Sequence, residues 1–473
     1  MQPTCHAFPA NAERALDDSD LQAALTRTAA GFPKKRLEGI ATLPEFELLR
    51  DQATVIRDHV LEHLDWYLER FASQVEAQGG TVHWCADAEA ARAAVLDICQ
   101  EAGARTVTKG KSMIGEEIAI NDHLEAHGIT PVETDLGEYI IQLRGEAPSH
   151  IVAPALHVSR SQVTAAFRDH HRDMPRERPL DSPRELLDEA RQVLRGRFLA
   201  ADVGITGANM LVAETGTTLI VTNEGNGDLT QTLPRVHVVL ASIEKVAPTL
   251  EDATTLLRIL ARSITGQEQT VYNTFSTGPR RVGDPDGPEA FHVVLLDNGR
   301  SRLLGTPAQS ILRCIRCGAC LGHCPVYGQV GGHAYGWVYS GPMGAALTPG
   351  LLGLPEAWHL PQASTLCGRC EAVCPVRIPI PDVLRHWRTQ SWRAGQPGGP
   401  PRLALRTWAW LAQRPRLYRF LSGLAARLLR WRAGNASTLG RLPGLGGWSE
   451  TRDLPVPEGQ TFLDQWRKQG GDR

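Results

Sequence analysis

The chain has 473 residues, of which 42% are apolar and 22% are charged, and its formal net charge is −2. This length predicts about three domains, and the composition is that of an ordinary soluble globular protein. The balanced charge excludes a global electrostatic attraction to nucleic acid.

Export and membrane insertion are not expected either. The N-terminus lacks the basic start and apolar core of a secretory signal, and no run of 18 apolar residues is present to span a bilayer. We therefore expect a cytoplasmic protein. Seven of the ten cysteines fall between 314 and 374, and in a reducing compartment such clustered thiols indicate metal ligands rather than disulfides.

Residues 1–75 are predicted to form a helical segment. The stretch LRDQATVIRDHVLEHLDWYLERFASQVEAQGG carries apolar residues at helical spacing and ends at Gly79 and Gly80. We expect a packing helix that leads into the next domain.

Residues 76–300 alternate between strand-like and helix-like patterns. GTVHWC, ARTVTKG and ITPVETD read as strands, and ADAEAARAAVLDICQEAG and SMIGEEIAINDHLEAHG read as helices. This alternation predicts an α/β domain with a mostly parallel sheet, whose ligands gather at the carboxyl ends of the strands. No G-x-G-x-x-G fingerprint with a trailing acid is present, so we expect no dinucleotide site of the Rossmann type.

Residues 301–390 contain a complete ferredoxin-type cysteine run, CIRCGACLGHCP. It supplies Cys314, Cys317, Cys320 and Cys324, and Pro325 follows. The spacing C-x₂-C-x₂-C-x₃-C-P is that of bacterial four-iron clusters, and its two-residue gaps let a tight loop bring three sulfurs together. The alternative is a structural zinc site, but zinc favours paired C-x₂-C spacing with four ligands.

A second run, STLCGRCEAVCP, has the same register but carries Ser364 at its first position. In two-cluster ferredoxins the fourth cysteine of each run binds the other cluster. That rule assigns cluster 1 to Cys314, Cys317, Cys320 and Cys374, and cluster 2 to Cys324, Cys367 and Cys370 with Ser364 at its fourth position.

The occupant of that fourth position stays open. Ser364 offers a hydroxyl, water is a second candidate, a three-iron form is a third, and a single cluster without the second is the simplest alternative. If cluster 2 forms, we expect its potential to differ from that of cluster 1, because ligand type and charge tune potential. The 42 residues between the runs include Tyr335, Trp337 and Tyr339, which are expected to shield a cluster or to pack over the module.

Residues 391–473 are predicted to form an Arg- and Trp-rich helical tail. Residues 383–432 contain eleven Arg and five Trp but no Asp or Glu. One apolar stripe of an amphipathic helix consists of Leu417, Phe420, Leu421, Leu424, Leu428 and Trp431. Such a basic helix suits docking on an acidic partner or on its own module, and an anionic membrane surface is the alternative.

Several motifs together resemble the bacterial lactate-utilization protein B family. They are VTKGKSMIGEEIAIND, VETDLGEYIIQL, PSHIVAPALH, GITGANMLVAETGTTLIVTNEGN, LPRVHVVLASIEKV, CIRCGACLGHCPVY and GGHAYGWVYSGPMGAALTP. The resemblance implies a LUD domain of the NagB/RpiA/CoA-transferase-like fold group. To this domain are fused a mostly helical two-cluster [4Fe-4S] ferredoxin-type module and a tail.

The same resemblance implies an electron-carrying subunit for oxidation of L-lactate to pyruvate. It also implies two partner proteins, lactate-utilization proteins A and C. Two alternatives stay open, namely a LUD domain that itself turns over a small carboxylate or acyl thioester, and a redox-sensing interaction module.

Within the LUD domain, AETGTTLIVTNEGN (213–226) is the stretch most typical of a site. By resemblance to the CoA-transferase group it would cradle an anion such as a small carboxylate, with Glu214 as a candidate catalytic carboxylate and Gly216 allowing close approach. Lys109 and Lys111 would add positive charge. The alternative is an ordinary Thr- and Gly-rich hairpin with solvated lysines.

Three acidic residues that follow a predicted strand, Glu133, Asp135 and Glu138, are further candidates for the same site. A helix-capping or solvated role is the alternative for them.

Overall fold

The computed structural model describes most of the chain, namely residues 2–149, 153–440, 442 and 452–469. Residues 150–152 of the motif PSHIVAPALH therefore lie outside the described residues.

The chain divides into two compact units, Met1–Ser391 and Trp392–Arg473. The borders expected near residues 75 and 300 both fall inside the first unit. The second unit begins close to the expected start of the tail.

The N-terminal segment consists of four helices, and the predicted long helix is broken at His63 (φ −128°, ψ 37°). Asp18 caps the second helix, since its carboxylate accepts a hydrogen bond from the Leu21 amide. The helices are α1 (Phe8–Asp17), α2 (Ser19–Ala41), α3 (Phe46–Glu62) and α4 (Leu64–Ala77).

In the next part of the first unit, the described residues form ten strands in two sheets. They are β1 (Thr81–Cys85), β2 (Thr106–Lys109), β3 (Thr130–Glu133), β4 (Val203–Gly207), β5 (Met210–Val212), β6 (Thr217–Thr222), β7 (Val236–Ser242), β8 (Val246–Ala247), β9 (Tyr272–Ser276) and β10 (Ala290–Leu296). The larger sheet has the order β1-β10-β7-β4-β2-β3, and every pair in it is parallel. The smaller sheet has the order β8-β5-β6-β9.

The larger sheet reverses its winding between β2 and β4. The chain passes from β2 outward to β3, which forms one edge, and then returns to place β4 on the other side of β2. Such a switch opens a crevice at the carboxyl ends of the two strands, which is where ligands bind in open α/β sheets.

Helices of this α/β part connect the strands. They are α5 (Ala88–Glu101), α6 (Met113–Glu117), α7 (Ile120–Ala126), α8 (Leu136–Arg144), α9 (Arg160–His170), α10 (Pro183–Leu199), α11 (Asn226–Thr232) and α12 (Leu250–Leu260).

The cysteine-rich segment is built mostly from short helices. They are α13 (Ala319–Gly322), α14 (Tyr327–Val330), α15 (Gly341–Leu352), α16 (Leu354–Ala357), α17 (Arg369–Ala372) and α18 (Ile380–Arg393). Between the two runs, Tyr335, Trp337 and Tyr339 are all buried, so this connection has a packed structure of its own.

One hydrophobic core joins the N-terminal helices to the cysteine-rich segment. Leu25 and Phe46 belong to the same core as Tyr335 and Met343. A second core joins Phe71 of α4 to Phe291 of β10. The N-terminal helices therefore bury apolar surface against both neighbours, which explains why the contacts of residues 2–391 form one unit.

The second unit contains α19 (Gly399–Ala412), α20 (Pro415–Ala433), α21 (Phe462–Lys468) and an antiparallel pair, β11 (Thr438–Leu439) with β12 (Leu454–Pro455). The buried residues of α20 are Gly423, Ala426 and Ala433. The predicted apolar stripe lies elsewhere on the helix, and Phe420 and Trp431 are exposed to 68% and 82%. Among the described helices, none has the length and hydropathy needed to cross a membrane.

Candidate functional site

The first cysteine run folds into a tight loop through two left-handed residues. Arg316 has φ 61° and Gly318 has φ 80°, and these turns bring the thiols of the run together. Glycine adopts this region without strain, whereas Arg316 adopts it at a cost that its surroundings must offset. One small cavity is lined by Cys314, Cys317, Cys320 and, from the second run, Cys374.

The second run repeats this backbone. Leu366 has φ 54° and Gly368 has φ 80°, at the positions of Arg316 and Gly318. The Oγ of Ser364 accepts a hydrogen bond from the Leu366 amide at 3.1 Å. Ser364 therefore has the local geometry of a first ligand, although its donor atom is oxygen.

The remaining thiols lie near one another. Burial is the largest of the causes that raise the pKa of Cys370 to about 12. The neighbouring Cys324 and Cys367 contribute in the same direction. Burial also raises the pKa of Cys324, with a smaller contribution from Cys367. All seven cysteines of the runs are free thiols.

The donor atoms suit iron–sulfur clusters. Backbone amides donate to three sulfurs at 3.4 Å, from Arg316 to Cys314, from Tyr327 to Cys324 and from Ile378 to Cys374. Amide hydrogen bonds to sulfur are among the groups that tune cluster potential. Because the thiolate is the ligand, metal binding must displace protons that burial otherwise retains.

Arginines from the N-terminal helices hold the second run in place, which sequence reasoning missed. Arg50 of α3 is buried and donates to the carbonyl oxygens of Ala372 (2.9 Å) and Cys374 (2.8 Å). Arg36 of α2 donates to the carbonyl of Val373 at 3.4 Å. The sequence feature that could have identified them is an arginine at a position of α2 and of α3 where the helical pattern expects an apolar residue.

A buried ion-pair chain connects the α/β part to the first run. Arg300 donates to both carboxylate oxygens of Glu117, at 2.9 and 2.6 Å. Its Nε lies 3.1 Å from Glu244, and Arg316 lies 3.1 Å from the other oxygen of Glu244. Tyr339 donates to Glu117. These charges are almost fully buried, so each depends on its partner.

A larger cavity of about 280 Å³ lies at the reversal point of the large sheet. Lys111 and Ser112 after β2, Asn209 after β4, and Ser242 and Lys245 at and after the end of β7 line it. Its lining also includes Arg316 and Cys317, and both residues line the thiol cavity as well. The two cavities therefore share a wall.

The anion site predicted around Glu214 and Lys109 is divided between two places. Lys109 is fully buried at the end of β2, where its ammonium lies 3.0 Å from Glu116 and 2.8 Å from Glu133. Glu214 lies in the turn between β5 and β6 and accepts a hydrogen bond from the Leu250 amide. The structure does not bring the two together, and neither is among the described residues that line the larger cavity.

Other parts of the same prediction reach the cavity. Lys111 lines it, and so do Glu224 and Asn226 at the far end of the stretch 213–226. Strand β6 separates these two residues from Glu214. The part of the stretch 213–226 that lines the cavity is therefore the end that follows β6, and not the turn that contains Glu214. Asp135 caps α8, as the helix-capping alternative predicted.

The other two acidic candidates, Glu133 and Glu138, are buried rather than solvated. Burial, the largest cause, raises the pKa of both carboxyl groups.

Three family models match successive parts of the chain. The LUD domain matches residues 68–296, a 4Fe-4S dicluster domain matches residues 310–378, and the C-terminal model of lactate utilisation protein B matches residues 400–471. The second match supports the iron–sulfur interpretation of the thiols.

Curated relatives are similar over nearly their full lengths. Lactate utilization protein B of Bacillus licheniformis is 41% identical over 97% of this chain and 96% of its own length. Its namesake from Bacillus velezensis is 41% identical over 98% of both chains. An uncharacterized electron transport protein of Escherichia coli, YkgF, is 39% identical over 98% of this chain and 96% of its own. With matches of this extent at both domain and full-chain level, the chain belongs to the lactate utilization protein B family.

Proposed function

We propose that this protein is an iron–sulfur electron-transfer subunit that serves the oxidation of L-lactate to pyruvate. The observation that carries the proposal is the cavity lined by three thiols of the first run and by Cys374 of the second. Support also comes from the 4Fe-4S dicluster match and from relatives named for lactate utilization.

The proposed ligands follow the crossing of the two runs. Cluster 1 takes Cys314, Cys317, Cys320 and Cys374, and cluster 2 takes Cys324, Cys367 and Cys370 with Ser364 facing its fourth corner. When bound, such clusters supply one-electron transfer. The chain supplies the thiolates and the amide donors to sulfur.

The charged residues around the first run have a positioning role in this proposal. Arg316 is held by Glu244 at 3.1 Å and by the Met343 sulfur at 3.1 Å. This anchoring offsets the cost of its left-handed backbone, which in turn sets the spacing of Cys314 and Cys317. Arg50 does the same for Cys374 through the carbonyls it binds.

We further propose that the protein works in the cytoplasm with lactate-utilization proteins A and C. Unit Trp392–Arg473 presents exposed apolar side chains beside arginines on α20, which suits an acidic partner protein; peripheral contact with the membrane is the alternative. For the α/β part, the parallel sheet and its reversal point are compatible with the proposed NagB/RpiA/CoA-transferase-like arrangement.

Anaerobic iron and sulfide counting with EPR spectroscopy tests the carrier function. We expect about seven or eight irons per chain, whereas about four would eliminate cluster 2. Purified protein given lactate and an artificial acceptor should show no turnover until proteins A and C are added. Turnover by the isolated chain would contradict the carrier function and favour an enzymatic LUD domain.

A further inference from the structure

The larger cavity has the position of a ligand site. The chain segments that follow β2, β4 and β7 meet there, at the point where the strand order reverses. Its volume of about 280 Å³ is enough for a small organic molecule. Polar side chains converge on it, and its remaining wall includes apolar residues such as Ile220 and Leu260, which is typical of small-molecule pockets.

Lys245 is the basic group of this cavity that has no direct hydrogen bond or ion pair among the described residues, although Glu244 and Cys314 lie near enough to favour its charge. It ends the short 3₁₀-helix Ile243–Lys245 after β7 and is 8% exposed. Across the described residues, its ammonium group makes no hydrogen bond or ion pair. Burial lowers the pKa of Lys245 to about 7, a shift that Glu244 and Cys314 oppose. An anion in the adjoining cavity would favour the charged form of this amine, so its position at the cavity wall suits an anionic ligand.

The other charges of the cavity have partners of their own. Arg316 is paired with Glu244. Asp135 accepts from two amides at the start of α8, and Glu224 accepts from the Leu136 amide of the same helix. Lys111 also has an interaction. Among the described residues that line the cavity, Lys245 is therefore the cation without a direct partner.

A second unfilled group indicates what else the ligand carries. Asn226, at the start of α11, is 7% exposed and lines the cavity. Its side-chain oxygen is buried and accepts no hydrogen bond from the described residues. A buried acceptor without a donor is unfavourable, and a ligand with a hydroxyl would supply that donor.

We propose that this cavity binds a small hydroxy acid, with Lys245 as counter-ion of its carboxylate and Asn226 as acceptor of its hydroxyl hydrogen bond. The inference rests on the proposed function for the choice of lactate as the ligand to test. Because Arg316 and Cys317 form the wall shared with the thiol cavity, the bound carboxylate lies next to the ligands of cluster 1.

Equilibrium dialysis of the anaerobic holoprotein against labelled L-lactate tests the site. We expect saturable binding, a loss of at least about tenfold in affinity in Lys245→Met, and unchanged binding in Lys35→Met, which removes an exposed lysine outside the cavity. Lys245→Met keeps the side-chain length and removes a buried amine, so its melting temperature should be at least that of the wild type.

A comparison ligand and a spectroscopic signal complete the test. Propionate lacks the hydroxyl, so it should bind the wild type more weakly than lactate does. Its affinity for Asn226→Ala should equal its affinity for the wild type, because propionate does not use the Asn226 acceptor. Lactate should change the EPR signal of cluster 1 in the wild type but not in Lys245→Met.

Equal lactate affinity in the wild type and Lys245→Met would overturn the proposal, and so would absence of binding by fully loaded protein. Low iron content would count against the electron-transfer function instead, so the two failures can be distinguished.

Discussion

Ser364 has, in the second cysteine run, the same relation to its loop that Cys314 has in the first. The Oγ of Ser364 accepts from the amide two residues later at 3.1 Å, and the Sγ of Cys314 accepts from the equivalent amide at 3.4 Å. Both loops then turn through two residues with positive φ. The two positions differ in the donor element. The oxygen of Ser364 is a harder and less polarizable ligand than the sulfur of Cys314.

Ser364→Cys should complete the thiolate set of cluster 2. We expect about eight irons per chain and a changed EPR signal for one cluster only, because a thiolate replaces an oxygen or an open corner. Ser364→Ala should lower the iron content of cluster 2.

Ser310→Ala, outside both runs, is the control and should match the wild type. Identical spectra for Ser364→Cys, Ser364→Ala and the wild type would mean that residue 364 does not face a cluster.

Exchange of ligands between the runs predicts a crossed pattern of damage. Cys374→Ser, in the second run, should remove the signal of the cluster held by the first run. Cys324→Ser, in the first run, should damage the other cluster. EPR of singly reduced samples separates the two signals, and Cys99→Ser, a buried cysteine outside both runs, should retain both. If each variant damages only the cluster of its own run, the ligands are not exchanged.

Arg300→Met should be strongly destabilising. The change leaves the buried carboxylate of Glu117 without a cation and removes one of the two arginines that pair with Glu244. We expect it to lower the free energy of unfolding by about 3–5 kcal/mol. Anaerobic urea titration measures this. Arg184→Met breaks the exposed pair with Asp188 and should cost less than about 1 kcal/mol. A second change, Glu117→Gln, should recover part of the loss in Arg300→Met.

His237 should make stability fall in mild acid. It is buried in β7 beside Thr206 at 2.8 Å, and burial lowers its pKa from 6.5 to about 3. Below about pH 6.5 this histidine binds a proton in the unfolded chain but stays neutral in the folded chain. The free energy of unfolding therefore has its full value above that pH and decreases as pH falls. By pH 5 the loss is about 2 kcal/mol for this group.

His237→Gln should remove that part of the acid dependence while it keeps a partner for Thr206. Urea midpoints at pH 6.5 and 5 provide the measurement. His63→Gln, at an exposed histidine, should retain the wild-type dependence. A His237→Gln variant with the wild-type loss between the two pH values would contradict the assignment.

The apolar stripe of α20 should be needed for binding but not for folding. Leu424 and Leu428 are 42% and 54% exposed, so Leu424→Ser/Leu428→Ser should keep its melting temperature and iron content. If the stripe is the docking surface for proteins A and C, this double variant should no longer co-purify with them. Leu429→Ser, which removes a partly buried contact, should instead lower stability. Loss of binding to anionic phospholipid vesicles, with co-purification retained, would favour the membrane alternative.

Local patterns were sufficient for the class of the sheet and for the class of cofactor. The alternation of strands and helices predicted the parallel sheet, the cysteine spacing predicted iron–sulfur clusters, and the family models support both. In contrast, the break at His63 was missed, because apolar spacing continues across it and only its backbone angles differ.

The functional residues of the α/β part were harder to identify. Lys109 and Lys111 are two positions apart, yet one is fully buried between carboxylates and the other lines a cavity. Lys245 lies in the motif LPRVHVVLASIEKV, but that pattern could not predict its place in a cavity wall, because the cavity forms where distant strands end side by side. Arg50 was likewise hidden, since its partners are backbone carbonyls more than 300 residues away.

By itself, the sequence determined the properties that depend on spacing along the chain: two cysteine loops, the sheet class, the basic helix and the family. The crossing rule had already predicted that Cys374 joins the first loop, but the tertiary structure alone decided which other distant groups meet: Arg50 with the carbonyls of the second loop, Arg300 with Glu117, and Lys245 with a cavity that adjoins Cys317. The physical reason is that ligand geometry and local backbone preference act over a few residues. Burial, ion pairing and cavity shape arise only when segments hundreds of residues apart pack together.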